Sequence, residues 1–329
     1  MNYNNHIILC FNSNWLMQAC VLIKSILSFN NEVFTFHIIG KGLPSSMISK
    51  LQEYAKSCPI KYHNIDNISN KDFIIRKDDH VTLETYYRFF IPEFLNEDIK
   101  KCLYLDSDIL CTGNFEKLFD IDLNNFSMGM VYDIGYSDIR KFNRLQYDVK
   151  YGYFNAGVIL INLDYWRKNN IKKQLIDFVV SYPERCFLHD QDALNYICHG
   201  TILPIDVSYN VQRIFWRVFS WKNPKNYPKY LLMSSYIARD KWDEIINGCE
   251  NPIFIHFCEK PKPWIIDTFV PFTKVWRYCC SKTEFKWNTN LRKRLGFIKR
   301  KLLKKRLDNE YPIEAYEIEN KFLEKLENK

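Results

Sequence analysis

Short apolar runs alternate along the chain with stretches whose apolar positions recur every three or four residues. HIILCF (His6 to Phe11) is a continuous apolar run and predicts a buried strand. Leu16, Cys20, Ile23 and Leu27 follow at spacings of four, three and four, which puts them on one helix face. FTFHII (Phe34 to Ile39) predicts a second strand, although its alternation also suits a half-buried edge. Pro44-Ser45 opens a helix with Ile48, Leu51 and Ala55 as its stripe. IKYHNI and CLYLD, from Cys102, predict two more strands. GVILINL (Gly157 to Leu163) predicts another, and Ile171, Leu175, Phe178 and Val179 mark the helix after it. IFIHFC (Ile253 to Cys258) is the last clear strand. This β-α-β-α-β order argues for an α/β protein with a mostly parallel sheet covered by helices on both faces.

Composition narrows the class. At 329 residues, 47% hydrophobic and 26% charged, the chain has the balance of a folded protein rather than a disordered one. No apolar run approaches the roughly 18 to 20 residues needed to span a bilayer. The start, MNYNNHIILCFNSNW, has no basic n-region, so no signal peptide is expected. Eleven Cys, an odd count with no CxxC pair, argue against a disulfide framework or zinc ribbon and for a reducing compartment.

The net charge of +8 is concentrated near the C-terminus. Residues 282–306 carry eleven Lys or Arg against one Glu, whereas residues 307–329 carry seven acids against three Lys. Leu291, Leu295, Ile298 and Leu302 share a face between these cations, an amphipathic basic helix with Asn288 or Asn290 as its cap. Such helices lie in the interface of anionic membranes. A helix docked on its own domain is the second reading of this segment. A nucleic-acid segment is the third and weakest, since the only interleaved aromatics are Trp287 and Phe297. In the acidic tail, Ile318, Phe322 and Leu326 share a side that suits folding back on the basic helix or pairing with another subunit.

Candidate chemistry begins with LYLDSDIL. Asp106 and Asp108 follow an apolar strand at its C-terminal end, where open α/β sheets place ligands. Two carboxylates so close repel unless a cation or strong donors neutralise them, and oxygen ligands suit Mg²⁺ or Mn²⁺. A solvated turn would explain the same letters. There is no GxxxxGK[ST] and no HExxH, and Gly40-Lys41-Gly42 lacks the third small residue of a dinucleotide fingerprint. A phosphatase of the haloacid-dehalogenase kind also carries a DxD after a strand, but near the N-terminus and with a Thr where this chain has Leu110.

With YYRFFIPEFL, YFNAGVILINLDYWR, HDQDALN and IHFCEKPKPW in order beside that motif, the chain resembles glycosyltransferase family 8, retaining nucleotide-sugar enzymes of GT-A fold. It is most similar to bacterial lipopolysaccharide and lipooligosaccharide galactosyl- and glucosyltransferases. The resemblance implies that Asp106, Asp108 and His256 hold Mn²⁺, or Mg²⁺, with Ser107 between them on the donor side. It places Lys262 on the departing diphosphate, Arg88 and His80 against the donor, and Asn155 and Ala156 against the donor sugar. Asp190 would hold sugar hydroxyls and Gln191 would face the anomeric centre. Asn12 and Trp15 stand where the family has Asp and Tyr for the uridine, and Glu259 stands where it has Gly. Each of these residues also has a plain structural reading: a strand-end His, a surface Lys, an Arg paired with a buried carboxylate, an Asn in a turn, an Asp capping its own helix. Asp133 and the aromatic stretch from Tyr209 to Trp221 are candidates for the acceptor cleft, though those aromatics could equally be core.

The expected organisation is a catalytic GT-A domain at 1–265, a helical region at 266–306 with the basic membrane-associating helix at 288–306, and an acidic helical tail at 307–329. The expected function is retaining transfer of glucose or galactose from a UDP-sugar to a lipid-linked oligosaccharide, at the cytoplasmic face of the bacterial inner membrane, with no nucleic-acid partner. A metal-dependent phosphohydrolase and a non-catalytic membrane scaffold are the competing readings.

Overall fold

The computed structural model describes residues 5–66, 73, 82–133, 138–218, 241–265, 268, 270–285 and 311–328. The chain forms two compact units. The first comprises Met1–Ala19, Glu32–Ser107 and Phe115–Ile205, and the second Cys20–Asn31, Asp108–Asn114 and Asp206–Lys329.

The first unit is built on β1 (His6–Cys10), β2 (Thr35–Gly40), β3 (Ile60–Asn64), β4 (Lys101–Leu105), β6 (Met128–Tyr132), β7 (Phe154–Asn162) and β8 (Ile202–Pro204). They form one sheet in the order β3-β2-β1-β4-β7-β6-β8. Neighbours are parallel except at β7, which runs antiparallel to both β4 and β6. This is the mostly parallel α/β sheet that the sequence predicts. β1 and β2 are buried at every position, as strands covered on both faces must be. β2 lies between β1 and β3, so its alternating letters mark an interior strand and not an edge. β3 takes the edge instead, with no residue fully buried. Across these three strands His6 Nδ1 lies 3.0 Å from His37 Nε2, and His37 Nδ1 lies 2.9 Å from His63 Nε2.

Of the helices, α1 (Leu16–Phe29) follows β1 and runs from the first unit into the second, while α2 (Ser45–Ala55) opens after Pro44 and buries Leu51 and Ala55. α3 (Ile91–Phe94), α4 (Ile139–Leu145), α5 (Leu163–Lys168), α6 (Ile171–Ser181) and α7 (Asp190–Cys198) complete the first unit. Ile171, Leu175, Phe178 and Val179 are all buried on α6, matching the spacing in the sequence. The YYRFF segment lies in 3₁₀ turns over Leu83–Phe90 that bury Tyr86, Tyr87, Arg88 and Phe89.

β7 starts at Phe154, so Asn155 and Ala156 lie within the strand and not ahead of it. The β6 register slips here: Met130 faces Ile159, yet Tyr132 faces Phe154. The residues between leave the β6 ladder, which frees their backbone groups for other partners.

The second unit holds β5 (Ile109–Cys111), β9 (Val211–Gln212) and β10 (Phe254–His256) in the order β5-β10-β9. Its helices include α8 (Phe215–Val218), α9 (Trp242–Glu250), α10 (Thr273–Ser281) and α11 (Ile313–Glu327). α11 buries Ile318, Phe322 and Leu326, the three residues that share a side in the sequence. It docks on α10: the Glu319 carboxylate accepts from the Lys274 N–H at 2.5 Å, and the Tyr278 hydroxyl donates to the Leu326 carbonyl at 3.0 Å. Burial pushes the Glu319 pKa up to about 7, against the pull of the N–H groups it receives. The basic helix expected at 288–306 lies outside the described residues. No described helix is long and apolar enough to cross a membrane.

Candidate functional site

β4 delivers Asp106 directly. Its backbone N–H continues the ladder onto the Gly157 carbonyl at 2.8 Å. Asp106 Oδ1 accepts from Arg88 Nη2 at 2.9 Å and from the Tyr104 hydroxyl at 2.6 Å. Arg88 is 4% exposed. Its Nη1 donates to the Ala156 carbonyl at 2.6 Å, its Nε donates to the Thr85 carbonyl at 3.0 Å, and its guanidinium lies 4.3 Å over the Tyr104 ring. Nε is also 3.0 Å from Asp190 Oδ2. Burial works against the charged guanidinium, but Asp190, Tyr104 and Asp106 together raise its pKa beyond the usual arginine value. Arg88 thus pairs with buried Asp190 and half-buried Asp106.

Asp190 is the first residue of α7, after His189 at φ 50°. Its side chain does not cap the helix. One oxygen accepts from the Thr85 hydroxyl and the other faces Arg88. A buried counter-charge outcompetes the local cap that the sequence suggests. Burial raises the Asp190 pKa, with Arg88 and Thr85 opposing.

Gln191 is fixed at both ends of its carboxamide. Oε1 accepts from the Ala156 N–H at 3.0 Å, one of the groups released by the slipped β6 register. Nε2 donates to Asp133 Oδ2 and to the Tyr153 oxygen, each at 3.3 Å. Asp133 accepts from Lys141 at 2.9 Å and from Asn155 Nδ2 at 3.4 Å, and Asn155 Oδ1 accepts from the Gly157 N–H at 3.0 Å. Beneath them lies Asp192, which is fully buried. It takes both arms of Arg144 at 2.6 and 3.1 Å, the Tyr153 hydroxyl at 2.6 Å and the Leu188 N–H at 2.6 Å. Thr85, Tyr104, Lys141, Arg144, Tyr153 and Asp192 are absent from the sequence-based candidates. Asp192 stood in the DQDALN motif, but nothing in the letters couples it to Arg144, 48 positions away.

In the second unit Asp108 opens β5 and His256 closes β10. The two strands pair antiparallel with His256 opposite Ile109, and the Phe257 N–H donates to the Asp108 carbonyl at 3.1 Å. Asp108 Oδ1 lies 3.3 Å from His256 Nε2, and Oδ2 accepts from Lys262 Nζ at 2.7 Å. Lys262 also donates to the Phe257 carbonyl. Burial alone would raise the Asp108 pKa, but Lys262 and His256 hold it well below the usual carboxylate range. His256 Nδ1 is 3.1 Å from Asn210 Oδ1. An amide oxygen can only accept, so Nδ1 is the donor in this contact. Asp108 and His256 of this unit offer a carboxylate oxygen and an imidazole nitrogen of the kind that can hold a metal ion, and Asp106 stands two residues before Asp108 in the chain.

The remaining candidates divide. Ser107 Oγ is buried and has no hydrogen-bond partner. Asn12 Oδ1 accepts from the Asn14 N–H at 3.0 Å and opens the turn that ends at Trp15, which is half-buried. Glu259 meets Arg213 Nη2 at 2.6 Å. Phe215 and Trp216, from the aromatic stretch, are core residues at 1% exposure. His80 lies outside the described residues.

Comparison with known proteins accords with this arrangement. General stress protein A of Bacillus subtilis is 28% identical over 86% of this chain and 95% of its own length. Lipopolysaccharide 1,2-glucosyltransferase of Escherichia coli is 29% identical over 76% of this chain and 70% of its own. Several longer streptococcal glycosyltransferases also match, and the chain spans 30% to 56% of their length. Among solved structures, the galactosyltransferase LgtC, in complex with donor and acceptor sugar analogs, superposes with a TM-score of 0.70 at 22% identity, covering 85% of this chain and 96% of that one. The model of the family described as "Glycosyl transferase family 8" matches residues 6–267, most of the sequence, and the chain belongs to that family.

Proposed function

We propose that the protein is a Mn²⁺-dependent retaining hexosyltransferase that moves glucose or galactose from a UDP-sugar to a saccharide of lipopolysaccharide, lipooligosaccharide or a related surface glycan. The observation that carries the reading is the Asp108–His256 pair, 3.3 Å apart, with Asp106 two residues before Asp108 in the chain. Two carboxylates and a neutral imidazole suit Mn²⁺. When bound, the ion would supply a Lewis acid that offsets charge developing on the leaving diphosphate.

The protein's own groups do the rest. Lys262 is a compact cation with three donors, held by Asp108 and by a carbonyl, and it can turn one donor to a phosphate oxygen. The partnerless Ser107 hydroxyl is available to the same ligand. Asn12 retains a second lone pair on Oδ1 for the uracil N–H, beside the Trp15 indole. His80 joins the donor side on the strength of the family pattern alone. Asn155, Ala156 and Asp190 line the sugar side, and Asp133 stands for the acceptor.

Retention proceeds by front-face substitution in this reading. Gln191 is a carboxamide and cannot form a stable ester with the anomeric carbon. Asp190 is 5% exposed, with its oxygens committed to Thr85 and Arg88. The departing diphosphate is left to take the proton from the acceptor hydroxyl. The relative named as a lipopolysaccharide glucosyltransferase supports the acceptor class. The cationic amphipathic pattern at 288–306 supports attachment to an anionic membrane at its cytoplasmic face.

The test is turnover of UDP-glucose and UDP-galactose with Mn²⁺, with and without chelator. Sugar release or transfer that vanishes with the chelator and returns with Mn²⁺ is expected. Equal activity in chelator overturns the metal assignment, and a sugar trapped covalently on Asp190 overturns the front-face mechanism.

A further inference from the structure

The second unit buries a cation for which the transfer chemistry above has no use. Arg213 directly follows β9, and its backbone N–H donates to the His256 carbonyl at 3.3 Å. Its side chain is only 6% exposed, yet among the described residues it has a single ion-pair partner, Glu259 Oε2 at 2.6 Å from Nη2. Nε and Nη1 are buried and have no hydrogen-bond partner. A guanidinium so placed is costly unless its fork is filled, because each orphaned donor forfeits its hydration. Arg88 shows the contrast within the same chain, with all three of its nitrogens donating.

Glu259 is a loose occupant of that fork. Its side chain is 42% exposed, it engages one nitrogen of three, and it sits three residues after His256 and three before Lys262. A carboxylate there opposes any phosphate that Lys262 would receive, unless it can leave. The fork matches an oxyanion with several oxygens better than it matches the one oxygen Glu259 supplies.

We infer that Arg213 is an anion-binding residue for a phosphate group, and that Glu259 is a resident stand-in which the phosphate displaces. The inference rests on the reading of this strand end as a phosphate-handling site. The phosphate can come from the donor diphosphate or from a phosphorylated acceptor sugar. Displacement moves Glu259 into water, where its exposure already leads, and passes the Arg213 donors to the ligand.

The experiment is calorimetric titration of the full-length protein with inorganic pyrophosphate and, separately, with glucose 6-phosphate, without added metal. E259Q should tighten one of the two by about tenfold, the sign expected when a competing carboxylate is removed. Tightening of pyrophosphate assigns the donor side, and tightening of glucose 6-phosphate assigns the acceptor side. R213Q should weaken the same ligand. E317Q removes an exposed carboxylate on α11 and should change neither. If E259Q leaves both affinities unchanged or weakens them, or if E317Q tightens them equally, the inference is wrong, whether or not R213Q folds. Wild-type turnover of UDP-sugars reads the underlying function separately, so loss of one conclusion is not mistaken for loss of the other.

Discussion

Asp106 and Asp108 stand two residues apart in one motif, yet they are held by different chemistry. Asp106 is tied to Arg88 and Tyr104, groups that are buried and themselves fastened to backbone carbonyls or to the sheet. Asp108 is tied to Lys262 and His256, a flexible ammonium and a titratable imidazole. A planar guanidinium with three placed bonds cannot leave without breaking them all, whereas an ammonium on a four-carbon stem can swing to a new oxygen. The first carboxylate is thereby built into the scaffold and the second is kept exchangeable. That division is what a site needs if it must hold its shape while a charged ligand enters and departs.

The largest effect that sharpens this contrast is on turnover. Asp108→Asn should lower UDP-sugar turnover by about three orders of magnitude, the scale of losing a placed electrostatic partner in a transition state, with a smaller fall in the urea midpoint than Asp106→Asn, because Lys262 can swing to water. Asp106→Asn should lower turnover and also shift the midpoint downward, because it strips a partner from buried Arg88. Equal midpoints for the two variants would erase the distinction.

Next comes stability. Arg88→Met leaves Asp106 and Asp190 without their buried counter-charge and should cost about 3 to 5 kcal/mol in urea unfolding, as breaking one side of a buried pair does. Lys262→Met strips a donor from a buried carboxylate that keeps His256 beside it and should cost about 1 to 3 kcal/mol, together with a fall in kcat. A larger stability loss for Lys262→Met than for Arg88→Met would invert the comparison.

A further effect, read through pH, concerns a carboxylate with no counter-charge of the Arg88 kind. The Glu319 pKa is raised from its ordinary 4.5 to about 7 in the folded chain. Such a group favours folding fully below the unfolded value and loses that contribution as pH rises through about 7. Between pH 5 and pH 8 the wild type should therefore lose about 2 to 3 kcal/mol relative to Glu319→Gln. Parallel melting curves for the two proteins across that range would contradict the assignment.

Much of this was legible in the letters because apolar periodicity reports burial directly. β1, β4, β7 and β10 carry apolar runs, and Asp106, Asp108 and His256 stand at the ends of two of them, β4 and β10. What the letters could not carry was partnership over distance. The cap expected of Asp190 failed because Arg88, a hundred residues earlier, offered a stronger partner than the local backbone. Asn155 was placed ahead of its strand because the register slip against β6 depends on a neighbour that the local sequence does not name. Glu259 looked out of place beside a phosphate because its answering residue, Arg213, lies on another strand end.

The slender joint at Ser107 limits how this motif can change. Ladder bonds hold the backbone up to Asp106, through Gly157, and resume at Asp108, through Phe257. One residue is left unclamped between two independent zippers. Adding or deleting an amino acid there would force one zipper to slip a tooth, turning either the Leu103 or the Ile109 side chain to the wrong face. Descendants of this sequence therefore inherit the spacing as a fixed gauge, whatever becomes of the serine hydroxyl.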